Sequence, residues 1–225
     1  MEIVFVRHAQ PRWIVEGLNK VDPDLTDLGV HQAVLVADRL GADGRWDELL
    51  VSPTTRTRLT AAPIAEAIGI EPVVVEDLEE LRTPGLADTP AHEVEALFAR
   101  LDARHPDEWW DGFPDGEAFR DFHLRVTGCV ADLLEERSFL ARHEPHVYDV
   151  ETDPGRIVVV GHAGTNAVAI GHLLGLDPVP WEWERFVSPH ASVSVLKTVP
   201  LAGGHVFGLR SFGDVGHFGT GEVTR

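Results

Sequence analysis

The chain opens on a short run, Glu2 to Val6, that is apolar after its first residue and rich in β-branched side chains. This pattern predicts a buried strand that ends abruptly at Arg7-His8. Thr26 then stands where an N-cap belongs, with Asp27 in the first turn. Val30, Ala33, Val34, Ala37 and Leu40 follow at helical spacing on one face, and Gly41 is placed to stop the helix. A second strand, about Glu48 to Val51, leads into Ser52-Pro53, which reads as N-cap and first-turn proline of a helix running to Ile68-Gly69 and bent at Pro63. Val73 to Val75 is a third strand. Residues 156–160 form a fourth, followed by Gly161-His162 and a helix through about Leu174. Ala191 to Leu196 and His205 to Ser211 alternate as strands do, which predicts a hairpin around Gly203-Gly204.

Strands that alternate with helices imply βα units. The expected fold is therefore α/β, a three-layer sandwich with a mostly parallel central sheet flanked by helices. Between the third and fourth strands lie helical patterns at Thr89 to Ala103 and Glu117 to Arg142, separated by the turn-rich stretch Trp109 to Gly116. That is too long for a simple crossover. The expectation is a single domain over residues 1–225 with a helical lid insertion at about 82–125, and an exposed loop over residues 143–155.

Composition narrows the partners. A net charge of -18, from 19 Lys and Arg against 37 Asp and Glu, argues against nucleic acid. No apolar run reaches membrane-spanning length, so no membrane partner is expected. The N-terminus carries an acid and meets Arg7 too soon for a secretory signal, and a lone cysteine, Cys129, makes no internal disulfide. A cytoplasmic location is the expectation. Only Lys20 and Lys197 are lysines; every other cation is arginine, the better fork for phosphate. An acidic chain that handles an anion must gather arginines locally.

They gather at the carboxyl ends of the predicted strands, where open α/β sheets bind ligands. Arg7-His8 follows the first strand, Ser52 to Arg58 the second, and Gly161 to Asn166 the fourth. Two histidines and two or three arginines thus meet at one sheet edge, beside helix N-termini that favour an anion. That constellation suggests phosphoryl transfer through histidine: a neutral imidazole is a nucleophile, and arginines hold the phosphoryl oxygens. The sequence contains neither a P-loop nor Gly-x-Gly-x-x-Gly nor Gly-x-Ser-x-Gly.

The same residues resemble the histidine phosphatase superfamily, also called the phosphoglycerate mutase-like family, along the whole chain. Arg7-His8-Ala9-Gln10 resembles its Arg-His-Gly-Glu opening, and Leu25 to Ala33 its Leu-Thr-x-x-Gly-x-x-Gln-Ala helix start. Ser52 to Ala61 resembles Ser-Pro-x-x-Arg-x-x-x-Thr-Ala, and Gly116-Glu117-Ala118 the Gly-Glu-Ser of the lid. Val159 to Gly164 resembles the second histidine motif, and Gly213 to Phe218 the terminal Asn-Asp-x-x-His-Leu. The resemblance implies that His8 becomes phosphohistidine and that Arg7, Arg56 and His162 clamp the phosphoryl oxygens, with the backbone N–H of Ala163 as a further donor. It places the proton donor in Leu78-Glu79-Glu80, on Glu80, or on Glu79 if the register slips by one. No metal and no cofactor are implied; the substrate would be a small phosphorylated metabolite, with water as the second substrate.

Departures limit the transfer. Gln10 replaces the common glutamate, and Ile14 stands where many members have a phosphate-binding asparagine, leaving Arg12 as a substitute cation or a surface residue. The Glu-Arg-His-Tyr-Gly segment of cofactor-dependent mutases is replaced by Glu80 to Gly85. A metal-independent phosphomonoesterase is therefore favoured over a phosphoglycerate-type mutase or a catalytically silent phosphate-binding module. Homodimers are common among such domains, but no segment marks an interface. Trp109-Trp110 and Trp181-Glu182-Trp183 either line a pocket for the leaving group or pack as ordinary core. His143 and His146, three apart, lack a supporting ligand framework for a metal.

Overall fold

The computed structural model describes residues 1–141, 146–150 and 155–225. In chain order the elements are β1 (Glu2–Arg7), β2 (Ile14–Val15), β3 (Leu18–Asn19), α1 (Asp27–Ala42), β4 (Glu48–Val51), α2 (Thr55–Ile68) and β5 (Val73–Val74). There follow α3 (Ala91–Asp102), α4 (Phe119–Glu135), β6 (Phe139–Ala141), β7 (Tyr148–Val150), β8 (Arg156–Gly161), α5 (Ala163–Leu173), α6 (Glu182–Arg185), β9 (Val193–Leu201) and β10 (Gly204–Asp214).

Among the described residues, eight strands form one sheet in the order β5-β4-β8-β1-β9-β10-β7-β6. The β5-β4-β8-β1 half is parallel, whereas β1-β9, β9-β10, β10-β7 and β7-β6 are antiparallel. The sheet is thus mixed rather than mostly parallel. In the antiparallel half, β6-β7 and β9-β10 are consecutive strands, which pair antiparallel without a crossover helix, while β1-β9 and β10-β7 join strands distant in sequence. The fold class is otherwise as expected, an α/β sandwich.

Alternation along the central strands divides the core in two. Ile3, Phe5, Leu50, Ile157 and Val159 pack on one face with Phe122, Val126 and Val130 of α4 and Val168, Ile170 and Leu173 of α5. Val4, Val6, Leu49, Val51, Val158 and Val160 pack on the other with Val36 and Leu40 of α1 and Ile64 of α2. Both faces are covered, so the parallel strands read as continuous apolar runs. Among the described residues no helix is long and apolar enough to cross a membrane.

Several local expectations shift. Thr26 caps α1 by accepting from Gly29 N, but Val30 and Val34 are exposed while Gln32 and Val36 are buried. Gln32 turns inward because its amide bridges Gln10 N and the C-terminal Glu222 O and Thr224 Oγ1. Gly41 lies inside α1 rather than ending it, because a Cβ there would meet Ala67 of α2 at 3.2 Å. The N-cap of α2 is Thr54, not Ser52, whose backbone still follows the sheet through Ser52 N to Val160 O, 3.0 Å. The helix expected from Glu117 to Arg142 ends at Glu135, for Ser138 takes φ 62° and Phe139 enters the sheet edge beside Tyr148 and Phe207. Within the expected loop 143–155, Tyr148–Val150 is strand β7; His143 lies outside the described residues.

Candidate active site

Strand register brings the three polar clusters together. Arg7 pairs with Gly161 and Val51 with Val160, so His8, Ser52 and His162 leave three adjacent parallel strands at one level. His8 N donates to Gly161 O at 2.9 Å, which fixes the exit of the chain from β1. The His8 and His162 rings lie 5.2 Å apart between centroids. His190, in the loop before β9, is a third imidazole, 5.6 Å from His8.

Each ring's hydrogen bonds determine its tautomer. His8 Nδ1 is 2.8 Å from Ala9 O, and a carbonyl only accepts, so Nδ1 carries the hydrogen and Nε2 keeps its lone pair. Arg56 Nη2 donates to His162 Nδ1 at 3.1 Å, which leaves His162 Nε2–H to donate to Ser52 Oγ at 2.7 Å. Arg7 Nη2 donates to His190 Nε2 at 3.2 Å, so His190 Nδ1–H donates to Thr224 Oγ1 at 2.9 Å. Burial is the main force that lowers the pKa of His8 well below the usual imidazole value, followed by His162, Arg56 and Arg7. Burial followed by Arg56 and Arg7 does the same to His162, and burial and Arg7 bring His190 down to about 3. All three are neutral at pH 7.

The arginines stay charged. Burial lowers Arg7 to about 10 and also lowers Arg56, while Glu80 acts in the opposite direction on both. Arg7 Nη1 donates to Ser188 O at 2.6 Å; Arg56 Nη1 donates to Val21 O at 3.2 Å, and its guanidinium stacks 5.0 Å from the Trp13 ring. The Nε–H of each is buried without a hydrogen-bond partner. Two fixed guanidiniums with unspent donors form an anion cradle.

Glu80 and Glu79 part company here. Glu80 Oε2 accepts from Gly164 N at 2.9 Å and Oε1 from Leu81 N at 3.1 Å, so its carboxylate sits on the N-terminal turn of α5. Glu79 instead accepts from Arg82 Nε at 2.7 Å. Glu80, Arg7, Arg56 and Ala163 line one cleft of about 640 Å³; Glu79 does not. Arg12 lies outside it, half-exposed and 3.6 Å from Asp27, and Ile14 is exposed on β2.

Trp109 and Trp183 line the same cleft and stack at 6.5 Å, whereas Trp110 packs on His123 and under Arg120. No local sequence pattern singles out His190, Trp13 or the Ser52 hydroxyl for this site. Ser52 stands before a proline in the pattern of a helix cap, and neither Trp13 nor His190 sits at a strand end preceding a helix.

The family model of the histidine phosphatase superfamily (branch 1) matches residues 3–200. Phosphoserine phosphatase 1 of Hydrogenobacter thermophilus is 40% identical over 199 residues, 87% of this chain and 86% of that protein. A metal-independent phosphoserine phosphatase of Arabidopsis thaliana is 28% identical over 72% of this chain and 64% of its own length. The PE-PGRS family protein PE_PGRS11 of Mycobacterium tuberculosis is 27% identical over 89% of this chain, which spans only 33% of that protein. Among solved structures, the α-ribazole phosphatase of Shigella flexneri superposes with TM-score 0.72 at 21% identity, covering 95% of this chain and 96% of that one. This last likeness is one of fold.

Proposed function

The chain belongs to the histidine phosphatase superfamily (branch 1), and we propose that it hydrolyses phosphate monoesters of small metabolites through a phosphohistidine on His8. The observation that carries this reading is the neutral His8 ring, with Nδ1 tied to Ala9 O, 5.2 Å from His162 and in the field of the charged Arg7 and Arg56. The names of the phosphatase relatives agree with it.

In the first step His8 Nε2 attacks phosphorus, the ester P–O bond breaks, and Glu80 gives its proton to the departing oxygen. Arg7, Arg56 and the N–H of Ala163 hold the non-bridging oxygens as charge spreads over them, and His162 joins them by turning its Nε2–H from Ser52 Oγ to the phosphoryl group. In the second step Glu80, now ionised, takes a proton from water. The water oxygen attacks phosphorus, the P–N bond breaks, and phosphate leaves with His8 neutral again. A phosphoryl dianion in the cradle would offset the repulsion from the arginines that adds to burial in lowering both imidazole pKa values. The two guanidiniums provide positive charge at the phosphate position, the basis for proposing metal-independent turnover. The lone Cys129, free and buried, accords with a reducing cytoplasm.

Rapid-quench trapping with a 32P-labelled aryl phosphate in EDTA tests the scheme. An acid-labile, base-stable phosphoenzyme is expected in the wild type and absent from His8→Ala. Substantial turnover by His8→Ala would refute the nucleophile, and loss of wild-type turnover in EDTA would refute metal independence.

A further inference from the structure

The cleft that holds the phosphate cradle extends well beyond what phosphate needs, and its far end has a different chemistry. Leu81, Leu86, Phe98, Trp109, Phe113 and Trp183 line it. The rings form one continuous wall: Phe98 meets Phe113 edge-on at 5.1 Å, Phe113 meets the buried Phe119 at 5.8 Å, and Phe119 meets Trp183 at 5.0 Å. Trp183 then stacks on Trp109. Along α3, Val94, Phe98 and Leu101 stand at i, i+4 and i+7 on one stripe. Val94 and Leu101 are buried, yet Phe98 between them is 46% exposed. Phe98 thus adds an accessible phenyl face to the aromatic wall of the cleft.

Charge at this end selects further. Besides Arg7 and Arg56, Lys20 is the one cation among the residues lining the cleft, and Asp88 holds its ammonium. Asp102 and Glu184 line the same walls as carboxylates. A leaving group bearing a carboxylate would meet like charge with no spare cation to answer it.

We propose that the alcohol released from the natural substrate is bulky, apolar or aromatic, and free of carboxylate, and that it packs against Phe98, Trp109 and Trp183. The inference rests on the phosphatase reading above and narrows it to a substrate class.

The test compares kcat/KM of the purified full chain for n-propyl phosphate, 3-phenylpropyl phosphate, O-phosphoserine and 3-phosphoglycerate. All four release a primary alkoxide, so the comparison isolates what the distal wall contributes. The phenylpropyl ester is expected to exceed the propyl ester by about 10- to 100-fold, the worth of burying one phenyl ring, and to exceed both carboxylates. Phe98→Ala, a change at a half-exposed position, should remove most of that advantage, lowering kcat/KM for the phenylpropyl ester far more than for the propyl ester. Equal values for the propyl and phenylpropyl esters, or a preference for phosphoserine or phosphoglycerate, would overturn the assignment. Tryptophan fluorescence titration of His8→Ala separates binding from chemistry. Tighter binding of phenylpropyl than propyl phosphate without wild-type turnover would sink the phosphatase reading and keep the pocket; no difference in binding would sink the pocket.

Discussion

His8 Nδ1 lies 2.8 Å from the carbonyl oxygen of its own neighbour, Ala9. The bond costs the chain little, because both groups belong to the same turn after β1. It leaves Nε2 as the basic nitrogen of a ring that burial and two nearby arginines keep uncharged. The arrangement prepares a nucleophile without a separate base to strip it of a proton, as a serine or threonine nucleophile would need.

A pH profile follows from that state. Because the His8 and His162 pKa values lie well below 6.5, kcat/KM for an aryl phosphate, corrected for ionisation of the substrate, should hold steady as pH falls from 7.5 through 6.5. An acid limb in the corrected profile centred near 6.5 would show that His8 titrates as an ordinary exposed histidine. Arg7 adds to the depression, so Arg7→Met should move the acid limb upward as well as lower the rate.

Glu80 and Glu79 are neighbours in sequence with opposite fates, and this separates their variants. Glu80→Gln should leave kcat/KM of aryl phosphates, which reports the phosphorylation step alone and whose oxygens depart as stable anions, near wild type, while kcat for either ester falls where water attack on phosphohistidine is limiting. Alkyl phosphates, which need the proton, should lose about 100- to 10,000-fold. Glu79→Gln breaks only a half-exposed pair with Arg82 and should shift either rate little. Equal losses of kcat/KM for aryl and alkyl esters in Glu80→Gln would contradict the acid assignment.

Much of this site was legible in the sequence, and the reason is topological. Arg7-His8, Arg56 and His162-Ala163 each follow a strand whose apolar run was plain, and parallel register then brings them level. The antiparallel half was less legible. β6 and β7 are three residues each, and Phe139 continues the apolar pattern of the helix before it, so only Ser138 at φ 62° marks the break. His190 was hidden for another reason. Its place depends on contacts far apart in sequence, to Arg7 and to Thr224, which no local pattern encodes. The buried face of α1 keeps Ala33, Ala37 and Leu40 of the apolar pattern but takes in Gln32 and Val36 in place of Val30 and Val34, because Gln32, polar in any pattern, is held by hydrogen bonds to the C-terminal segment.

Gly164 offers a test of the site that spares the fold. A Cβ at this position would come 2.5 Å from Glu80 Oε1, the mobile end of a side chain rather than backbone. Gly164→Ala should therefore displace the Glu80 carboxylate and reproduce the Glu80→Gln pattern, with alkyl esters slowed more than aryl esters. The melting temperature should hold or rise, since alanine in the first turn of α5 is the better helix former by up to about 1 kcal/mol. Unchanged alkyl turnover in Gly164→Ala would mean that the Glu80 position is not critical.

Acid should undo the fold through the same histidines that build the site. His8, His162 and His190 have folded-state pKa values below the 6.5 of an unfolded histidine. Below pH 6.5 the unfolded chain therefore binds protons that the folded chain refuses, and stability falls as pH falls. The contribution is fully present above 6.5 and declines from there down to each folded pKa, which for His190 is about 3. Each histidine adds a slope of up to about 1.4 kcal/mol per pH unit. Asp214, whose carboxylate Arg39 holds below its usual 3.8, adds its own loss only at lower pH, whereas His123, His172 and His217, also lowered by burial, steepen the same slope and Glu182, raised by burial, opposes it. Urea midpoints measured from pH 6.5 to 5 should drop steeply. His190→Asn, which can still accept from Arg7 and donate to Thr224 without titrating, should flatten the slope by about one proton. A midpoint that stays level from pH 7 to 5 would mean that these rings are solvated or protonated in the folded protein, and the neutral nucleophile would fall with them.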